Sequence, residues 1–268
     1  MTDSLVDGRP TRSVPVDDRG LLYGDGLFET IAFHDGAAPL WTLHWQRLQR
    51  GADLLGIDLP DQADLIGDCR RLAVSGQSVI IRISLTRGSG GRAYWPDPSR
   101  PSRRIVQARE WPADLERQRQ TGVVVVTSSI TLATGSVLNG IKHANRLEQV
   151  MAARACANAG ADEALLYDSS GCLSEAIASN LIVEFGDRAV VPASDSGVDG
   201  VGLAWLQDQP EVALERFRLS SRDLESATGM MVINSVSGIR PVRALDGRQL
   251  DVSHQCRAWQ SLWNRRLG

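Results

Sequence analysis

A chain of 268 residues that is 43% hydrophobic and 23% charged has the balance of a globular protein, long enough for one large domain or two ordinary ones. A formal net charge of -3 with no basic block argues against a nucleic-acid surface, and apolar runs such as residues 123–126 and 181–183 are too short to cross a bilayer. The N-terminus lacks the basic start and apolar stretch of a secretory signal, so a cytoplasmic location is expected. Cys69, Cys156, Cys172 and Cys256 lie far apart, with no spacing suited to a metal, and read as free thiols.

In chain order, residues 27–33 predict a strand ending in the turn His34-Asp35-Gly36, after which residues 39–41 can return. Thr42 can cap a helix with Trp45, Leu48, Ala52 and Leu55 on one face and Gly56 at its end. A second helix carries Leu65, Cys69, Leu72 and Ala73. Residues 79–85 predict a strand that opens into the glycine-rich loop 87–92, and residues 105–108 predict another. The polar stretch that follows predicts a linker over 112–120, between a smaller α+β domain at 1–111 and a larger strand-rich domain at 121–268.

In the second part, residues 122–127 read as a buried strand, and a loop leads to Ile141-Lys142-His143. Asn145 is a candidate cap for a helix holding Leu147, Val150, Met151 and Ala155, ended by Gly160. Two hairpins follow, 163–168 with 172–177 and 181–185 with 188–191. Without a repeated βα unit, the fold class is α+β rather than a TIM barrel or a Rossmann domain.

Lys142 is the single lysine among 29 basic residues. A guanidinium stays protonated and cannot act as an amine nucleophile, whereas a tethered, desolvated lysine can. A coding bias toward arginine would also leave one lysine, so the neighbourhood must decide. Pyridoxal phosphate (PLP) asks four things of a protein: an amine, an anion opposite its pyridine nitrogen, a phosphate cup, and groups that recognise the substrate. Lys142 is the candidate amine. Glu175 could face the pyridine nitrogen or be a solvated strand-end glutamate. Arg47 could hold the phosphate or snorkel to the surface. The turn 197–202 could offer backbone N–H groups to a phosphate. The loop 87–92 lacks the Gly-Lys-Ser/Thr of a P-loop; Arg87, Arg92 and Tyr94 could contact a substrate anion, or the loop could be merely soluble.

Several segments carry a resemblance that runs from about residue 17 to 242: Asp18-Arg19-Gly20 with Tyr23-Gly24-Asp25-Gly26-Leu27-Phe28-Glu29-Thr30; Leu43-His44-Trp45-Gln46-Arg47-Leu48; the run from Ile141-Lys142-His143-Ala144-Asn145 to Val150; residues 175–180; and Asn234-Ser235 before Gly238-Ile239-Arg240-Pro241-Val242. In these the chain resembles the fold type IV (D-amino-acid aminotransferase-like) PLP enzymes. That group includes branched-chain and D-amino-acid aminotransferases and 4-amino-4-deoxychorismate lyases, and the loop Thr86–Tyr94 and the run from Lys142 to Val150 are most similar to those of the lyases.

The resemblance implies a homodimer of two-domain subunits binding PLP. It assigns Lys142 to the Schiff base, Glu175 to the pyridine nitrogen, and Arg47, the amides of Val201 and Gly202, and Ser235 to the phosphate. It also puts Asn180 among the cofactor contacts. The implied reaction converts aminodeoxychorismate to 4-aminobenzoate and pyruvate, with Lys142 as base and Lys142 or Thr30 as proton donor. An aminotransferase acting on D-amino or branched-chain substrates is the rival, and a cofactor-free binding protein is the alternative outside enzymes. Gly202-Leu203 stands where relatives carry Thr or Met and then Arg, so a phosphate cup built on backbone is expected.

Overall fold

The computed structural model describes residues 3–73 and 76–265. Past the antiparallel pair β1 (Ser4–Val6) and β2 (Arg9–Pro10), the Asp18 carboxylate caps the short helix α1 (Arg19–Tyr23) by accepting from the Gly20 amide at 2.9 Å. In β3 (Gly26–His34) Leu27, Glu29, Ile31 and Phe33 are buried on one face, while on the other Phe28 and Thr30 are half-buried and the small residues Gly26 and Ala32 are covered. After the His34–Ala37 bridge there is no returning strand at 39–41; helix α2 (Trp41–Leu55) begins there. Its N-cap is Leu40, without a side-chain cap, so the expectation for Thr42 is corrected.

The buried stripe of α2 is also not the expected one. His44, Arg47, Leu48, Gly51 and Ala52 are buried, at the i, i+3, i+4, i+7, i+8 spacing of a helix face, and Trp45 and Leu55 flank it half-buried. Helix α3 (Gln62–Leu72), capped by Asp61, buries Leu65, Cys69 and Leu72 as the spacing predicts. With β4 (Ser78–Thr86) and β5 (Arg103–Arg109), the strands make an antiparallel sheet in the order β2-β1-β5-β4-β3, which leaves β3 at an edge.

Contacts divide the chain into two units, Met1–Trp111 with Ile141–Asn145, and Pro112–Gly140 with Arg146–Gly268. Residues 112–120, expected as a linker, fall in the second unit, where α4 (Leu115–Thr121) packs on a strand of the large sheet. That unit continues through β6 (Val123–Leu132), α5 (Leu147–Asn158), β7 (Glu163–Asp168), β8 (Leu173–Ala176), β9 (Asn180–Phe185), β10 (Arg188–Pro192), α6 (Val201–Gln207), β11 (Glu215–Phe217), β12 (Gly229–Asn234), β13 (Gly238–Leu245), β14 (Arg248–Gln249) and α7 (His254–Arg265). The sheet order is β11-β10-β9-β12-β13-β6-β7-β8, with β14 on β13. Parallel pairs at β6–β7, β13–β6 and β10–β11 sit among antiparallel ones, an α+β arrangement. The two expected hairpins are β7–β8 and β9–β10. Its core gathers apolar residues such as Val125, Leu165, Leu181, Val183, Val232 and Val242, each wholly buried.

All four cysteines are free and buried. Among the described residues no helix is long and apolar enough to cross a membrane, and no cluster of three acidic, His or Cys side chains is placed to hold a metal.

Candidate active site

In the first unit, the edge of β3 would expose unpaired backbone groups, and the lysine segment covers it. The Phe28 amide donates to the Lys142 carbonyl at 3.0 Å, the Ala144 amide donates to the Gly26 carbonyl at 2.9 Å, and Leu27 bridges His143. Asn145 does not cap α5, whose N-cap is Arg146; its side-chain amide donates to the Gly24 carbonyl at 3.2 Å and pins the segment further. Lys142 is half-buried, with its ammonium 4.5 Å from the centre of the Phe28 ring. Thr30 lies two residues along the same strand, on the same face as Phe28. Arg82 pairs with Thr30 across the β3–β4 register, and its guanidinium carbon lies 4.1 Å from that same ring. Burial pushes the Arg82 guanidinium down from its usual range, and Arg109 adds to this.

On the opposite face of β3, Glu29 is a carboxylate on the buried phase of an apolar strand. It persists there because α2 brings two donors to it: Arg47 forks onto it, Nε to Oε1 at 2.8 Å and NH2 to Oε2 at 2.5 Å, and His44 Nδ1 lies 2.6 Å from Oε2. Burial opposes the Glu29 charge, but Arg47 and then His44 outweigh it and bring its pKa down to about 2 from 4.5. Burial pushes His44 down as well, against the pull of Glu29, and the Arg47 and Lys142 charges add to the push. An ionised Glu29 can only accept, so Nδ1 of His44 carries the proton.

A carboxyl depressed in the folded state stabilises it above the unfolded value of 4.5 and loses that contribution as pH falls through about 2. The expected size is roughly 3 kcal/mol. Denaturant unfolding at pH 5 and at successive steps toward pH 2 should therefore show a steeper loss in the native chain than in Glu29→Gln; equal slopes would contradict the assignment.

The motif around residues 18–25 is a brace for the glycine-rich loop. Asp18 accepts from the Thr86 hydroxyl at 3.1 Å and pairs with Arg103. Arg19 reaches the carbonyls of Ala93 at 2.7 Å and Tyr94 at 3.2 Å, and donates to Asp25 at 3.0 Å. Arg87 donates to Asp25 at 2.8 Å and to the carbonyls of Gly56 at 2.6 Å and Leu55 at 2.7 Å, so three of its five N–H donors hold its own loop. Burial would raise the Asp25 carboxyl, but Arg87 and Arg19 hold it below its usual range. Arg92 and Tyr94 are exposed, the latter at 78%, so the loop presents these two side chains outward while Arg87 turns inward.

In the second unit, Glu175 lies on β8 and is only 7% exposed, which removes the solvated strand-end reading. Oε2 accepts from the Val198 amide at 2.9 Å, and Oε1 is 3.4 Å from the side-chain nitrogen of Gln149 on α5. Asn180, at the start of β9, donates to the Val198 carbonyl at 3.0 Å, so Glu175 and Asn180 hold the 197–200 turn from two sides. A Cβ on Gly200 would overlap the Asn180 side-chain oxygen. One on Gly202 would come within 2.8 Å of the Asn234 carbonyl carbon and 3.1 Å of the Ser235 amide, so both positions admit only glycine. Val201 and Gly202 open α6, and Gly202 abuts Ser235, whose turn is tied by Asn234 Oδ1 accepting from Val236 at 3.0 Å and Ser237 at 2.6 Å. The Arg240 guanidinium, Glu163 and Ser179 form a buried triad beneath this turn, Arg240 NH2 donating to Glu163 at 3.1 Å and to Ser179 at 3.0 Å.

The structure thus gathers Lys142 and Thr30 about Phe28 in the first unit, with Arg47 on the helix side of β3. It gathers Glu175, Asn180, Val201, Gly202 and Ser235 about one turn in the second. This donor set fits PLP chemically: a primary amine, a buried carboxylate, a guanidinium, and a turn whose Gly200 and Gly202 leave no room for a side chain of their own. Arg82 lies outside every motif read from the sequence, and Glu29, His44 and Gln149 stand within those motifs without an assigned role. For Glu29 a signal existed, since it is a charge on the buried phase of an alternating strand.

The family profile for amino-transferase class IV matches residues 26–245. The chain belongs to that family, the fold type IV enzymes that use PLP. It is 29% identical to the aminodeoxychorismate lyase of Vibrio harveyi over 246 residues, 90% of each chain. The crystal structure of 4-amino-4-deoxychorismate lyase from Pseudomonas aeruginosa superposes with a TM-score of 0.90 at 36% identity, covering 98% of both chains. A D-alanine aminotransferase of Staphylococcus epidermidis is 22% identical, over 93% of this chain and 91% of its own length.

Proposed function

We propose that this chain is an aminodeoxychorismate lyase, converting 4-amino-4-deoxychorismate to 4-aminobenzoate and pyruvate, and that it works as a cytoplasmic homodimer. The observation that carries the reading is the 36% identity, over 98% of both chains, to the Pseudomonas aeruginosa lyase. The chain's own residues support it: one amine, Lys142, beside Phe28, with the Thr30 hydroxyl on the same strand face.

Bound PLP supplies an electron sink for the carbon that loses its proton. Lys142 would hold the cofactor through Nζ, and the same amine, with substrate bound, would take the C4 proton. Loss of the enolpyruvyl group as pyruvate aromatises the ring, which supplies the driving force. The departing three-carbon fragment needs a proton, and Lys142 Nζ or Thr30 Oγ1 delivers it. Glu175 would keep the pyridine nitrogen protonated, and Arg47, the Val201 and Gly202 amides, and Ser235 would hold the phosphate. Arg92 and Tyr94 are the outward-facing candidates for a substrate carboxylate, and Arg87 orders the loop that carries them.

The test is a single incubation with aminodeoxychorismate and PLP. A lyase releases 4-aminobenzoate and pyruvate catalytically with no keto-acid acceptor. If turnover stops after one equivalent and resumes only when a keto acid is added, the chain is an aminotransferase, the reading its likeness to D-alanine aminotransferase favours.

A further inference from the structure

Nothing in the proposed chemistry uses a carboxylate at position 29, yet Glu29 is 1% exposed and carries three charge-assisted contacts. Its partners His44 and Arg47 stand one helical turn apart on α2, on the stripe that faces β3. The fork engages the Nε and NH2 edge of Arg47, which fixes rotation of the guanidinium about its long stem. His44, 1% exposed, lies against the second carboxylate oxygen and stops Glu29 itself from swinging.

We propose that Glu29, braced by His44, is a positioning residue that aims the Arg47 guanidinium and so sets the chain's selectivity for a phosphorylated over a dephosphorylated cofactor. This rests on Arg47 being a phosphate contact. Two effects oppose each other. The Glu29 charge weakens the attraction of Arg47 for an anion, while the fork removes the rotamer freedom that a long side chain would otherwise lose on binding. The second effect prevails because both partners are buried: an Arg47 released from Glu29 would have to be reoriented and desolvated anew for each phosphate bound.

The opposed signs make the idea testable. Full-length native chain, Glu29→Gln, Glu29→Asp and Arg47→Lys are titrated with PLP and, separately, with pyridoxal, which has the aldehyde but no phosphate, following visible absorbance and protein fluorescence. Glu29→Gln should weaken PLP binding by about ten-fold, the size of a lost charge-assisted hydrogen bond, with pyridoxal binding unchanged. The double variant Glu29→Gln/Arg47→Lys should bind PLP no more weakly than Arg47→Lys alone, because both changes remove one function. Should Glu29→Gln fail to fold, Glu29→Asp keeps the charge, draws the fork back by one methylene, and is read by the same ratio.

If Glu29→Gln binds PLP as tightly as the native chain or more tightly, charge alone matters and positioning is refuted. Equal losses for PLP and pyridoxal refute it too, by making Glu29 a general support. If instead Arg47→Lys leaves the PLP-to-pyridoxal ratio unchanged, it is the assignment of Arg47 to the phosphate that falls.

Discussion

Lys142→Ala is expected to abolish turnover and to leave no pyridoxyl adduct after borohydride reduction in the presence of PLP. The reason is compositional as much as local: no second lysine exists to take over, and none of the chain's arginines can condense with an aldehyde. Loss of the general base alone accounts for about 10²- to 10⁴-fold. Loss of the covalent hold on the cofactor comes on top, so pyruvate release should fall to background. Mass spectrometry of the reduced native protein should place the adduct at residue 142. A variant that still released pyruvate at the native rate, or an adduct at the N-terminal amine, would remove the lysine from the mechanism. The β3 edge should stay covered in the variant, because the backbone of residues 142 and 144 makes the contacts there.

Glu175→Gln is the second change with a large expected effect, a fall in kcat of about 10²-fold, the scale seen when one group facing developing charge is removed. The substitution is nearly isosteric, and the amide oxygen can still accept from Val198, so the 197–200 turn should persist. What is lost is the negative charge that would hold a proton on the pyridine nitrogen. The separation to look for is a reduced kcat with an unfolding midpoint close to native. A kcat within two-fold of native would remove Glu175 from that role, and a collapse of stability would make it a structural anchor for the turn.

Much of the architecture was legible because local periodicity encodes which face is buried. The alternation through residues 27–33 is that of β3, and the two hairpins appear at their turns. Caps were less legible. Thr42 and Asn145 both have a side chain able to cap, but α2 is capped two residues earlier, at Leu40, and Asn145 is drawn away by the Gly24 carbonyl. A cap competes with every other acceptor the fold brings near, and those are distant in sequence.

The arginines are subject to the same limit. Arg47 looked as though it sat beside an apolar stripe, but it lies in the middle of the buried one, because Glu29 comes across from β3 to meet it. Arg87 read as a loop cation, and Asp25, far back in the chain, turns it inward. Arg82 gave no local sign of importance, and only the pairing of β4 with β3 brings it over the Phe28 ring that Lys142 also approaches.

From its residues alone, then, the chain determined that one lysine, Lys142, is its single side-chain amine able to condense with an aldehyde, together with the succession of strands and helices that carry it. The tertiary structure decided where each guanidinium points and which carboxylates are buried. Element type depends on neighbours three or four residues away, whereas the partner of a buried charge depends on sheet register and helix placement, which bring together groups separated by tens of residues.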